Sequence, residues 1–227
     1  DAPRRKLDAM TEDRPHQGLV MHTSYWESIK LAEMPEPTRG SLWLALEGIS
    51  DPMNLGAILR SAAFFGVSGV ICERGCARLS PVASKASSGA AELVPVFGVN
   101  KLPAFLGKAR ELGWHVAGTA LPGEGDEESG VAFGTLEEFL PECSRLGGGV
   151  ILVMGPEGPG LRSDLRQACS TLLRIDGGSA EDGLDSLNVS VAAGISLHAL
   201  RAALGPPAPL GRDRAIEDET VVADAEQ

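Results

Sequence analysis

Val150-Ile151-Leu152-Val153-Met154 runs straight into Gly155-Pro156-Glu157-Gly158-Pro159-Gly160-Leu161, and the junction between the two decides the fold class. Five consecutive apolar residues, three of them β-branched, predict a strand buried on both faces, as in parallel sheets covered by helices on either side. The glycine- and proline-rich exit ends it, and residues 162–168 predict a helix. Working outward, the same alternation repeats. Upstream, residues 42–46 form a second apolar run whose exit, residues 47–56, leads into a helix over 57–65 stopped by Gly66, then a strand over 67–72. A helix over 81–91, a strand over 93–97, an amphipathic helix over 101–112, a strand over 114–119, a surface loop over 122–130 and a short helix over 136–140 follow. Downstream, residues 172–175 predict a last strand, and an Ala-rich apolar helix runs on to Leu204. The class is therefore α/β, a mostly parallel sheet flanked by helices.

Residues 1–40 are polar and proline-marked, an expected linker, and 41–205 form the expected domain. Residues 206–227 begin with Pro206-Pro207 and carry two basic and six acidic side chains, so the tail is expected to be disordered. At 227 residues and 43% apolar content the chain can bury a full core. Its net charge of −11 argues against a wholesale basic coat for nucleic acid, and any such partner needs a local patch, for which Arg60, Arg74, Arg78 and Lys85 are candidates. Cys72, Cys76, Cys143 and Cys169 are spaced too irregularly for a disulfide framework or a zinc site, and no metal is expected. No run approaches the roughly 18 to 20 apolar residues that span a bilayer.

Open α/β sheets bind ligands at the carboxyl ends of their strands. Three exits there stand out: residues 47–60, 155–161 and 176–190. None carries GxGxxG after the first strand or GxxxxGK[ST], so the dinucleotide and NTPase loops are absent. His16, His22, His115 and His198 have no spacing that gathers a catalytic triad. Ser186, Asn188 and Ser190 open the last helix, where small polar side chains serve as helix caps or as a binding wall; the residues alone leave both open.

Three motifs in order, Asp51-Pro52-x-Asn54-x-Gly56-Ala57-Ile58-x-Arg60, Met154-Gly155-x-Glu157-Gly158-x-Gly160-Leu161 and Ser186-Leu187-Asn188-Val189-Ser190-Val191-Ala192, resemble those of the SpoU (TrmH-type) RNA ribose 2′-O-methyltransferases. The wording is nearest to their mitochondrial large-subunit rRNA guanosine-2′-O-methyltransferase branch, and His16-Gln17-Gly18 resembles the stretch that joins the family's N-terminal RNA-binding domain to its catalytic one. The resemblance implies a SPOUT-type domain with a C-terminal deep trefoil knot, a homodimer built through the knotted region, RNA as partner, S-adenosyl-L-methionine as cofactor, no membrane, and a mitochondrial location. Residues 1–40 would then link to an N-terminal RNA-binding domain outside this sequence.

By the same resemblance, Thr119, Met154, Gly155, Glu157, Ile175, Leu184, Ser186, Leu187 and Asn188 line the cofactor pocket. Arg60, Asn54, Glu157, Asn188 and Ser190 form the catalytic set, with Asn54 held by Glu157 and Ser190 orienting Arg60 or the ribose. Arg60 either activates the 2′-OH as a proton acceptor or grips the target phosphate. The sequence departs from the family where many members continue Ile-Pro-Met after the last strand; here Ile175 is followed by Asp176-Gly177-Gly178 and an acidic stretch. A transfer-RNA target, or a catalytically silent RNA-binding module, are the competing readings.

Overall fold

The computed structural model describes residues 2–21, 28–119, 130–156, 159–177 and 186–206. In chain order these form α1 (Arg4–Met10), β1 (Ile29–Lys30), β2 (Leu42–Leu46), α2 (Pro52–Phe64), β3 (Val70–Glu73), α3 (Pro81–Ser87), β4 (Val96–Val99), α4 (Leu102–Glu111), β5 (His115–Thr119), β6 (Ala132–Thr135), α5 (Leu136–Cys143), β7 (Val150–Met154), α6 (Ser163–Ala168), β8 (Thr171–Arg174) and α7 (Val189–Leu204). The strands make one eight-stranded sheet in the order β1-β4-β3-β2-β7-β5-β8-β6, and every neighbouring pair is parallel.

β2 and β7 lie side by side at the centre, and every residue in both is buried. Their period-2 geometry deals alternate residues to opposite faces. Leu42, Leu44, Leu46, Val150, Leu152 and Met154 join one core with Leu55, Ile58 and Leu59 of α2, Ala83 of α3, Phe139 of α5 and Leu197 of α7. Trp43, Ala45, Ile151 and Val153 join the other, with Leu102, Phe105 and Leu106 of α4 and Leu165 of α6. Burying each of these leucines contributes about 1.5–3 kcal/mol, which is why an uninterrupted apolar run marks the middle of the sheet.

Several boundaries differ from the sequence reading. α2 starts at Pro52, five residues before the predicted helix, because Asp51 caps it: the carboxylate accepts from the N–H of Met53 at 3.0 Å and of Asn54 at 3.3 Å, with proline in the first turn. The helix predicted over 81–91 breaks at Ser88, which is left-handed (φ 53°), and resumes as one tight turn over Ala90–Glu92. β1 and β6, the two edge strands, and α1 were not predicted; a short edge strand has one ladder partner and little apolar pattern. The expected linker thus contributes the edge strand β1, paired to β4 through Ile29 and Lys30.

Candidate active site

The parallel register brings four strand ends together. Leu46 stands opposite Met154, Gly118 opposite Val153, and Thr119 opposite Leu173, so β2, β7, β5 and β8 release their chains side by side. Side chains and backbone tie the exits further. The Thr119 hydroxyl donates to the Val153 carbonyl at 3.3 Å, and the Glu47 N–H donates to the Met154 carbonyl at 2.9 Å, one step past the strand. Gly155 is required by close approach: a Cβ there would lie 2.8 Å from the carbonyl carbon of Gly160.

The third exit meets the first. Asn188 Nδ2 donates to Asn54 Oδ1 at 3.1 Å, joining the first turn of α2 to the start of α7. Asn188 Oδ1 accepts from the N–H of Ser190 at 2.9 Å and from its hydroxyl at 2.6 Å. Asn188 is therefore both an α7 cap and the bridge between two motifs, since its amide has a donor end and an acceptor end and uses each for one task. Ser186 and Leu187 are exposed just before it, and Ile175 is half-buried just after β8.

Asn54 Oδ1 accepts from Asn188; the expected pairing of Asn54 with Glu157 falls on a residue outside the described ones, as does the expected role of Leu184. Of the two partners expected for Ser190, Arg60 and the ribose, Arg60 is met instead by Ser88, whose Oγ accepts from Nη1 at 3.1 Å, and the Ser190 hydroxyl donates to Asn188. Geometry explains that correction: Ser190 sits two residues into the Asn188 cap, so the cap captures its hydroxyl. Of the candidate basic patch, Arg60, Arg74 and Arg78 are exposed, while Lys85 Nζ donates to the Pro15 carbonyl at 2.9 Å and so holds the N-terminal segment against α3.

Sequence reasoning missed the cluster beneath the glycine-rich exit. Arg162 Nη1 donates to Glu47 at 2.7 Å and also to Glu73, Nη2 donates to Glu73 at 2.8 Å, and Nε donates to Asp164 at 2.7 Å. Glu73 also accepts the Leu102 N–H at 3.0 Å. Burial pushes the Glu73 carboxyl up, but the hydrogen bonds from Arg162 and Leu102 outweigh it and hold it below the usual carboxylate range. Arg162 thus fastens residues 159–161 to the ends of β2 and β3. The signal was present: Glu47 and Glu73 are charges placed at the ends of apolar runs, where solvation alone gives no reason for them.

The described residues expected to line the site are neutral or apolar, Thr119, Asn54, Ser186, Asn188 and Ser190 beside Met154, Ile175 and Leu187, while the charges of Glu47, Glu73 and Arg162 at the same exits are paired with one another. Such a set offers hydrogen-bond donors and acceptors beside apolar surface, the combination that a nucleoside needs. Among the described residues no group of three or more His, Cys, Asp or Glu could hold a metal ion.

Residues 41–198 match the model of the SpoU rRNA methylase family. The chain is 42% identical over 205 residues to rRNA methyltransferase 1, mitochondrial, of Homo sapiens, a match that covers 87% of this chain and 57% of that protein. It is 37% identical over 201 residues to the 23S rRNA (guanosine-2′-O-)-methyltransferase of Pseudomonas putida, covering 86% of this chain and 74% of the relative. An AdoMet-bound rRNA methyltransferase from Sinorhizobium meliloti superposes with a TM-score of 0.61 at 28% identity, over 76% of this chain and 60% of that one. The chain spans a little over half the length of the human relative.

Proposed function

Because the chain belongs to the SpoU rRNA methylase family, we propose that it transfers a methyl group from S-adenosyl-L-methionine to a ribose 2′-hydroxyl of RNA, with a guanosine of large-subunit rRNA as target. The observation that carries this reading is the hydrogen bond from Asn188 to Asn54, which makes one site of two motifs 134 residues apart in sequence. The target is supported by the two curated relatives, one named for mitochondrial rRNA and one for a 23S rRNA guanosine.

The cofactor supplies a methyl group already activated on a sulfonium. What remains for the protein is placement, which supplies a large part of the rate in a reaction of this kind. Met154, Gly155, Ile175, Leu187 and the backbone at Thr119 would hold the nucleoside, and Ser186 with Asn188 would fix the wall before α7. Arg60 stands on the exposed face of α2 beyond Asn54. A guanidinium has five N–H donors and no acceptor, and Arg60 already donates to a hydroxyl oxygen. We therefore assign it as the clamp on RNA, gripping the phosphate beside the target ribose and holding the 2′-oxygen in line.

Incubation of the full-length protein with methyl-labelled cofactor and separated RNA fractions tests the function. Label in ribose of large-subunit rRNA is expected; label confined to transfer RNA would move the target, and none in any RNA would leave only a silent binding module. Asn188→Ala is expected to weaken cofactor binding about tenfold, the equivalent of one lost hydrogen bond to a pocket wall plus a loosened cap. Calorimetric titration measures this, and unchanged affinity would remove Asn188 from the site.

The reading extends to assembly. α2 and α7 pack together and leave Met53, Phe64, Val191 and Ile195 exposed, with exposed Leu187 just before α7 and four residues from Val191. An apolar stripe across two adjacent helices supports a second copy of this chain as its cover, and sedimentation at micromolar concentration should give twice the chain mass; a monomer would rule the dimer out. The knot belongs to the same proposal, supported by the return of α7 from β8 at one side of the sheet to α2 at the other; an experimental structure tracing 178–185 tests it. A mitochondrial location rests on the name of the human relative, and imaging of the tagged full-length protein checks it. Residues 1–40 are proposed as the connector to an RNA-binding region.

A further inference from the structure

We infer that Ser88 is the positioning residue of Arg60: it takes one guanidinium nitrogen so that the remaining donors face the RNA. The inference rests on the assignment of Arg60 as the RNA clamp.

Three observations carry it. The first is the contact itself, Arg60 Nη1 to Ser88 Oγ at 3.1 Å, between two exposed side chains 28 residues apart in sequence. The second is the backbone of Ser88, left-handed at φ 53°, ψ 41°. Only Glu12 and Asp13, both in the N-terminal segment, share a positive φ among the described non-glycine residues. Left-handed backbone costs an L-residue with a Cβ roughly 1–2 kcal/mol, and glycine is the ordinary choice where a helix stops this way. Gly89 adopts the same sign of φ one residue later, so the chain has glycine at hand and still places a side chain at 88.

The third is how firmly the strained residue is held. The buried Ser87 hydroxyl donates to the Ser84 carbonyl at 2.7 Å and accepts the Ala91 N–H at 3.1 Å, while Ser88 N–H donates to the Lys85 carbonyl at 3.2 Å. α3 is also pressed onto α2 at Gly56, where a Cβ would lie 2.5 Å from both the Ala83 carbonyl oxygen and the Ala86 Cβ. Gly56 and Arg60 are four residues apart on one helix and so share a face one turn apart. The missing side chain at 56 lets α3 come close, and that closeness puts the α3 terminus within reach of Arg60.

A turn kept only for its backbone would prefer glycine at 88. A hydroxyl kept for Arg60 explains the strain, since strained backbone persists where surrounding structure over-determines it and clusters at functional sites. Ser88 does not need to touch RNA or cofactor; it removes rotational freedom from a long side chain before substrate arrives.

Ser88→Gly separates the roles, because it keeps or eases the backbone and deletes the hydroxyl. In the full-length protein, with tritiated-methyl S-adenosylmethionine and a large-subunit rRNA transcript, S88G is expected to lower kcat roughly 10- to 100-fold, with KM for the cofactor unchanged and Tm equal or higher. Ser88→Asn restores an acceptor on a residue that tolerates this backbone and should recover most of kcat. A second readout needs no substrate: rotation about the Arg60 Nε–Cζ bond, followed by arginine side-chain NMR, should quicken in S88G and slow again in S88N. Wild-type kcat in S88G, or equal rotation rates, overturns the inference. Full turnover in Arg60→Ala would instead defeat the assignment of Arg60, whereas an inactive R60A beside a fully active S88G defeats Ser88 alone.

Discussion

Arg60→Ala is expected to lower methyl transfer on the order of 10³-fold, about 4 kcal/mol of transition-state stabilisation, while leaving Tm and cofactor affinity at wild-type values. The separation follows from where Arg60 sits. Its side chain is exposed on α2, and its hydrogen bond to Ser88 joins two exposed groups, so truncation opens no cavity and strands no buried donor. The cofactor wall is assigned to other exits, so the loss should fall on the step that needs RNA held in line. Arg60→Lys sharpens the point. Lysine keeps the charge but offers a flexible point donor in place of a planar fork, so a variant that must grip phosphate and Ser88 at once should remain at least tenfold impaired. Label incorporation at saturating cofactor measures both variants. An R60A protein that turns over normally would sink the clamp, and an R60K protein equal to wild type would reduce it to simple charge attraction.

What the sequence makes legible follows from how many neighbours fix each element. The residues of β2 and β7 are constrained on both faces and by two ladder partners, so their apolar runs are unambiguous. β1 and β6 have one partner each, and their short patterns carry no comparable signature. At the candidate site, Asn54, Arg60 and Asn188 come from the resemblance of the three motifs, and only the caps Asp51 and Asn188 are legible in local chemistry as well. The pairing of Asn188 with Asn54, of Ser190 with Asn188 and of Arg60 with Ser88 is tertiary, decided by the packing of α2 against α3 and α7, and no local pattern encodes which of several nearby hydroxyls a guanidinium reaches. Ser88 was within a predicted helix for the same reason: nothing local marks a serine that ends a helix in left-handed backbone instead of continuing it.

Arg162→Ala is expected to destabilise the fold by about 3 kcal/mol at neutral pH, the cost of breaking a largely buried ion cluster from one side, seen as a fall in Tm of roughly 6–12 °C for a domain of this size. Glu47 and Glu73 are 7% and 8% exposed, and Arg162 is their shared cation. Without it two carboxylates remain at the strand ends with little water and no countercharge, and mutual repulsion adds to desolvation. The pH dependence identifies the cause. In the wild type Glu73 is held below its ordinary range, so its stabilising contribution is complete above the unfolded value of about 4.3 and is lost as pH falls through the folded one. In R162A the largest lowering influence is gone and burial dominates, so the carboxyl is raised, its charged form is penalised at neutral pH, and acidification relieves it. The gap in stability between the two proteins should therefore begin to narrow above about pH 4.3, as the raised carboxyl of R162A takes up its proton, and go on narrowing as pH falls through the lowered wild-type value. Denaturant titrations from pH 3.5 to 7 measure this. A constant gap would mean that Arg162 acts through packing alone. Combining R162A with Glu47→Gln and Glu73→Gln should recover part of the lost stability, because amides tolerate the site uncharged. The same fastening holds residues 159–161 against the ends of β2 and β3, so R162A should also weaken cofactor binding, and the triple variant, stable but unfastened, should not regain it. That outcome would show that the fastening by Arg162 to the sheet, beside the close approach of Gly155 to Gly160, is needed to hold the second wall of the proposed site in place.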